Sequence, residues 1–353
     1  MIGEPLSERE HRVLEAVVRT YVETAEPAGS RTVARRFKLG ISPATVRNTM
    51  SDLEQKGYLY HPHTSAGRMP TDRGYRFYVN ELLNQPRRLD ADAQELLLEL
   101  QTTERTGVEL LIRRAAQVLG LLTSELGVAT GPALNEAILE RIELVSVADG
   151  KVLFVMTLRA GGVRTVFVDV PTEIPAGALV VVAQVLNERL AGLTLSEVRT
   201  TLSVRLRDSA PLGDRSASDL LNIFIQSAED WLELPSAEGT LHLGRASVLA
   251  DQPEFQSGSR LKGLIELTEQ TDLLRGMLVS RSGTEGLTVT IGAEHSDPAL
   301  TGFTIVTSEY NVGELRGVIG VIGPTRMPYD RVITLVEGTS ALVSEFLALP
   351  TSQ

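Results

Sequence analysis

The stretch from Ser30 to Tyr78 constrains this chain more than any other. It reads as a short basic helix, a four-residue turn, a capped second helix, and then the loop HPHTSAGRMPTDRGYRFYV. Ser30 is expected to cap a helix over Arg31–Phe37, with Val33, Ala34 and Phe37 inward. Lys38–Ile41 is the turn, with Gly40 where a positive φ costs little. Ser42 is the next N-cap and Pro43 takes the first helical position, a preferred arrangement. That helix runs to about Lys56, and Gly57 closes it.

Helical spacing then sorts the second helix into faces. Val46, Met50 and Leu53 share one face and are expected to bury. At ~100° per residue the opposite face carries Ala44, Arg47, Asn48 and Ser51, with Thr45 and Asp52 on its flank. Arginine binds guanine and asparagine binds adenine in bidentate fashion in the major groove. Thr45, the cap Ser42 and the amides of the helix N-terminus suit a phosphate. Arg31, Arg35, Arg36 and Lys38 are placed to clamp the nucleic-acid backbone. Tyr58–His61 reads as a short strand and His61–Arg68 as a wing, with Arg68 at its tip meeting phosphate or the minor groove. The plainer account is a solvated helix with scattered charges; two helices, the turn and the charge bias together favour DNA. His61 and His63 lack a third ligand cluster, so no metal is expected.

Net charge is -11, which looks wrong for a DNA binder until its distribution is read. Residues 1–90 hold 14 Lys and Arg against 11 Asp and Glu; the remainder holds 20 against 34. A basic module on an acidic body suits a protein that touches DNA with one face. With 353 residues, 42% of them hydrophobic, two or three folded domains are expected. There are no cysteines, which excludes disulfides, thiolate catalysis and Cys-ligated zinc and fits a reducing cytoplasm. MIGEPLSEREHR is too charged for a signal peptide. The longest apolar run, around Ala178–Ala183, falls far short of the ~20 residues that span a bilayer.

The flanking chain predicts helices and strands in sequence. Ser7 with Glu10 forms a capping box for a first helix to Val22. A helix restarts at Thr71–Gly74, Gln85–Arg88 is a linker, and a long helical stretch runs from Asp90 to Leu126. Ala137–Val147, Val152–Leu158 and Val163–Val170 read as three antiparallel strands, with Asp149-Gly150 as a hairpin turn. Pro175–Ala191 reads as a helix over them. Residues 193–247 change in composition and read as an insertion, with a helix through Leu220–Leu232 and a short strand pair expected at Thr240–Leu249. Gly258–Leu274 is helical. Gly286–Gly292, Gly302–Glu309 and Arg316–Gly323 are three more strands, and Tyr329–Leu347 is a last helix. The fold class is α+β, multidomain. The six strands are expected to share one central antiparallel sheet, divided by the insertion in sequence only.

Two segments at opposite ends carry a resemblance. TSAGRMPTDRGYRFYV, Thr64–Val79, and GVIGPTRMPY, within Gly317–Tyr329, resemble the heat-inducible transcription repressors of the HrcA family. Asn80 stands where the family usually has Asp. The resemblance implies a winged-helix head (residues 1–88), a GAF-like body (89–192 and 248–353) and an inserted dimerising domain (193–247). It implies a homodimer that binds the inverted repeat CIRCE upstream of chaperone operons, with the chaperonin GroEL maintaining the active form until heat diverts it. The recognition role is carried over to Thr45, Arg47 and Asn48, and the wing role to Arg68.

Two rival classes remain to be weighed. The chain has no HExxH, no phosphate loop and no GxSxG, so an enzyme is not expected. Gly320–Arg326 lacks the lysine of a phosphate loop; it reads as a structural turn whose arginine meets an acidic partner. The serious alternative is a ligand-sensing winged-helix repressor, with Arg326, His295 and Glu294 lining a small-molecule pocket in the GAF-like part. No cofactor and no membrane association are expected.

Overall fold

A computed structural model describes residues 5–63, 67–86, 108–132, 134–148, 150–159, 163–170, 174–207, 215–228, 239–283, 286–313 and 315–348. Its first unit is a head of four helices: α1 (Glu8–Thr24), α2 (Ser30–Arg36), α3 (Pro43–Gln55) and α4 (Asp72–Leu83), with β1 (Leu59–Tyr60) and β2 (Met69–Pro70) between the last two. The Ser7–Glu10 capping box is present, and Ser42 Oγ accepts from Thr45 N. Gly29, not Ser30, is the N-cap of α2. Val13, Leu14, Val17 and Val18 of α1 bury against Val46, Met50 and Leu53 of α3. Tyr58 closes this core edge-on to Phe77, ring centroids 5.8 Å apart.

The body begins with α5 (Val108–Thr123) and β3 (Leu126–Thr130). The long helix expected from residue 90 lies outside the described residues up to 107; its other end stops at Thr123, and Leu126 belongs to a strand. Every residue of β3 is buried. Gly127 allows that depth, because a Cβ there would stand 1.8 Å from the Ala116 carbonyl oxygen of α5.

The chain next builds β4 (Leu139–Ala148), β5 (Lys151–Leu158) and β6 (Val163–Asp169) as a three-stranded antiparallel sheet. Helices α6 (Ala176–Leu190), α7 (Leu195–Leu206) and α8 (Arg215–Gln226) follow. Val152, Phe154, Met156 and Leu158 alternate onto one buried face of β5, where Phe154 meets Phe224 of α8 at 5.4 Å. Asn187 of α6 replaces a strand beside β4: its Nδ2 donates to the Ile142 carbonyl at 2.7 Å, and its Oδ1 accepts from Ile142 N at 2.8 Å.

The return strand β7 (Leu241–Leu243) pairs with β3, and Gly131 N donates to the Thr240 carbonyl at 2.8 Å. Only one strand forms where a pair was expected; a one-turn helix, Ser247–Ala250, follows. The helical stretch from Gly258 is two helices, α9 (Gly258–Glu269) and α10 (Thr271–Val279). Strands β8 (Leu287–Ile291), β9 (Phe303–Val312) and β10 (Leu315–Pro324) complete a five-stranded antiparallel sheet of order β7-β3-β10-β9-β8, and α11 (Tyr329–Ala348) ends the described chain.

The fold is α+β, with antiparallel sheets in more than one unit, but the single central sheet is overturned. The first three predicted strands pair only among themselves, and the last three join β3 and β7. The five-stranded sheet is buried on both faces. Ile319, Val321 and Val306 pack with Ile112, Leu119, Ile333 and Val336 on one side. Val318, Ile322 and Ile305 pack with Leu264, Leu274 and Leu278 on the other. This alternation follows the strand period of two.

Candidate nucleic-acid interface

Helix α3 owes its orientation to its apolar residues. Val46, Thr49, Met50 and Leu53 are all buried. Arg47 and Asn48 therefore point outward; both are exposed, and neither side chain has a hydrogen-bond partner among the described residues. Ser42 and Thr45 sit at the N-terminus, with their hydroxyls 2.9 Å apart. Gly40, at φ 72, turns the chain from α2 into this cap. The free amides of the first turn add partial positive charge there.

Beside α3, Arg31 and Arg35 are exposed and unpaired among the described residues. Arg36 differs, because its guanidinium is ion-paired with Glu23 of α1 and lies 5.8 Å from the Phe37 ring centre. Both partners of that pair are more than two-fifths exposed, and such surface pairs contribute only ~0–1 kcal/mol. Arg36 thus stands on the same surface as Arg35 but already has a counter-ion.

The position expected for Arg68 is corrected. It lies at the base of the wing, not its tip; residues 64–66 of the loop lie outside the described residues. Arg68 exchanges two backbone hydrogen bonds with Ala28, at 2.8 and 3.0 Å. Its guanidinium packs on His61 and pairs with Glu54 of α3 at 2.8 Å, and its side chain is only 12% exposed. The cause is local. Ala28, from the link between α1 and α2, forms a third rung beside β1 and β2, and Gly67 permits the approach, since a Cβ there would stand 2.4 Å from the Ala28 carbonyl oxygen. Arg68 is a strut that ties the wing to α3. Among the described residues no group of three or more His, Asp or Glu is arranged to hold a metal.

Sequence reasoning missed the residues that brace this surface. Arg73 of α4 lays its guanidinium 4.4 Å from the Tyr58 ring centre and donates to the Lys56 carbonyl at 2.9 Å, capping the end of α3. Lys56 in turn pairs with Glu10 of α1 at 2.8 Å. It also missed the seam between head and body. Asp72 Oδ2 accepts from Ala293 N at 2.8 Å. Arg76 donates Nε to Glu294 Oε1 and Nη2 to the Val289 carbonyl, each at 2.6 Å. Burial pushes the Glu294 carboxyl up, but the Arg76 and Ile291 N–H bonds outweigh it and hold it below the usual range.

Arg326, expected either in a pocket or against an acid, meets the acid. Its Nη2 donates to Glu254 Oε2 at 2.9 Å and its Nη1 to the Val22 carbonyl of α1 at 2.7 Å. That bond to Glu254 raises its pKa, against the effect of burial. Glu294 and His295 do line a cavity, but Arg326 is not among its lining residues.

A helix-turn-helix with a two-stranded wing, carried on an α+β body, defines a winged-helix protein of the kind that docks on DNA. The HrcA protein C terminal domain profile matches residues 109–333, and the chain belongs to the HrcA family of heat-inducible transcription repressors. It is 35% identical to the heat-inducible transcription repressor HrcA of Chlorobium phaeovibrioides over 94% of each chain. It is also 35% identical to that of Pelotomaculum thermopropionicum over 97% of each. For the Symbiobacterium thermophilum repressor the identity is 36%, over 96% of this chain and 98% of the relative. These relatives are named as transcription repressors, not enzymes. A solved crystal structure described as a hypothetical protein shares the fold, with a TM-score of 0.67 at 24% identity over 97% of this chain and 99% of that one.

Proposed function

We propose that this heat-inducible transcription repressor acts as a cytoplasmic homodimer whose two heads bind the inverted-repeat operator CIRCE upstream of chaperone operons. Arg47 and Asn48 read base edges in the major groove. Ser42, Thr45 and the α3 amides hold a phosphate, and Arg31 and Arg35 clamp the flanking backbone, with Arg36 joining when DNA displaces Glu23. Arg68 acts by holding the wing against α3. The observation that carries this reading is the exposure of Arg47 and Asn48 directly opposite the buried Val46–Met50–Leu53 stripe.

The dimer is supported by an uncovered apolar face. On the side of the β4–β6 sheet turned away from its helices, Val145, Leu153 and Phe167 line up in register across the three strands, and Val147 and Val163 flank them. Phe167 is 61% exposed. A contiguous exposed apolar patch of this kind marks an interaction surface. We infer that the inserted dimerising unit is the chain between β3 and β7, from after Thr130 to before Leu241, a wider span than residues 193–247. On this reading the head remains residues 1–88, and residues 131–192 move from the GAF-like body to the inserted unit.

The chaperonin GroEL is the proposed keeper of the active form, released from that duty on heating. No described helix is long and apolar enough to cross a membrane. Footprinting on chaperone promoters at two temperatures, with and without chaperonin, tests the reading. Protection of an inverted repeat that is lost on heating and restored by chaperonin is expected. Protection indifferent to both would refute the chaperone link. Two heads should sit ~34–36 Å apart or a multiple of it along one face of the duplex.

A further inference from the structure

One cavity of the body is left unused by the DNA-facing surface. It is an open cleft of about 590 Å³ between α10, β8 and the short turns Gly292–Glu294 and Pro298–Leu300. Volumes of this size suit small-molecule ligands. Arg281, Thr290 and His295 form polar parts of its lining, and Leu273, Met277 and Leu300 form apolar ones.

Arg281 is the unusual group. Its Nη2 donates to Thr290 Oγ1 at 2.6 Å, and its Nη1 to Thr307 Oγ1 at 3.2 Å and to the Ile305 carbonyl at 3.5 Å, all neutral partners. No carboxylate pairs with it among the described residues, and its Nε–H makes no hydrogen bond there. Burial alone pulls its pKa down to about 10. A half-buried guanidinium without a counter-ion gains when an anion completes the site. The free Nε–H lies on the edge of the fork that binds carboxylates.

His295 supplies a second, independent sign. It is 9% exposed; its Nε2 is buried with no partner in good hydrogen-bond geometry, and the ring's polar neighbours are the Phe303 and Thr290 backbones. Buried polar atoms of this kind are rare and call for an occupant. Three acids border the cavity as well, each already engaged: Asp272 with Arg275 at 3.2 Å, Glu294 with Arg76, and Asp297 Oδ1 with Ala299 N at 2.8 Å. Their negative field favours an anion of one charge over a dianion.

We propose that this cavity binds a small monocarboxylate with an apolar tail. The carboxylate sits on Arg281 and His295, and the tail lies on Leu273, Met277 and Leu300. Glu294 lines the same cavity and holds Arg76 of α4, so the ligand lies one side chain from the DNA-binding head.

Calorimetric titration of the full chain without DNA tests this, with 4-methylvalerate, acetate and inorganic phosphate as probes. The branched acid should saturate one site per chain, bind more tightly than acetate, and bind more tightly than phosphate. Arg281→Met should weaken it at least tenfold, and Arg281→Lys less. Ring NMR of the unsubstituted chain, with His295→Gln to identify the resonance among five histidines, should show the His295 signals moving with the same saturation curve. This second measurement stands even if the arginine variants fail to fold. Absence of saturable binding by either carboxylate, binding indifferent to Arg281→Met, tighter phosphate than carboxylate, or a silent His295 would each overturn the site. None of these readouts depends on the operator reading.

Discussion

Tyr75 of the head and Tyr329 of the body meet with ring centroids 5.7 Å apart and planes inclined at 48°. Both rings are buried, and they belong to the two segments, TSAGRMPTDRGYRFYV and GVIGPTRMPY, that carry the family resemblance from opposite ends of the chain. Arg326, from the second segment, reaches the Val22 carbonyl of α1 beside them. The most recognisable parts of the sequence therefore form the joint on which the DNA-binding head is mounted. The face proposed to read bases lies elsewhere.

The two tyrosines should respond differently to loss of their hydroxyls. Tyr329 Oη bonds Thr304 Oγ1 at 3.1 Å and donates to the Thr325 carbonyl at 2.7 Å, whereas Tyr75 Oη is buried without a partner. Tyr329→Phe should cost about 1–2 kcal/mol, and Tyr75→Phe should be neutral or stabilising. Urea unfolding of the full chain measures both. Equal losses would mean that the Tyr75 hydroxyl is satisfied.

Neighbouring arginines on α2 should separate in DNA titrations. Arg35→Ala should weaken binding to all sequences alike and reduce the salt slope by about one. Arg36→Ala should do less, because Glu23 already neutralises Arg36. Affinities between ~50 and 200 mM salt check this. A larger effect at Arg36 would mean that its pair with Glu23 opens fully on DNA.

Arg68→Ala should act through stability. The change strands Glu54 beside a wing that has lost its strut, at a cost of about 1–3 kcal/mol. Denaturant unfolding should show that loss, and operator affinity should fall with it. Full stability with uniformly weaker DNA binding would instead put the guanidinium on phosphate.

Acid should loosen the head through Glu10. The Lys56 ammonium and the Ser7 backbone N–H hold its carboxyl down to about 2, against an ordinary value of 4.5. A lowered folded-state pKa stabilises the fold above the unfolded value, and that contribution is lost as pH falls through the folded one. The window is therefore from about 4.5 down to about 2. Lys56→Met should raise the Glu10 pKa, as read by carboxyl NMR titration, and move the loss to higher pH. An unmoved titration would assign the shift to the N-cap alone.

The head was legible in the sequence because its signals are local. The Ser7–Glu10 box, Ser42-Pro43 and the Val46–Met50–Leu53 stripe each specify a helix within a few residues, and the hairpins of β4–β6 announce themselves by alternation and Asp149-Gly150. What stayed hidden is non-local. LGVAT of β3 is buried on both faces, so it shows no alternation and reads as a continuation of α5. Its pairing with β7, more than a hundred residues on, decides that two sheets form, and no local pattern encodes that choice. Arg68 was misplaced for the same reason, because its backbone partner is Ala28, from before α2.

The central claim is that α3 turns Arg47 and Asn48 toward base edges. Its most direct test is operator affinity of Arg47→Ala, measured against the unsubstituted chain on the inverted repeat and on a scrambled duplex. The account predicts a loss of ~1–3 kcal/mol on the repeat, little change on the scrambled duplex, and so a narrowed ratio between them. An unchanged affinity for the repeat would contradict it.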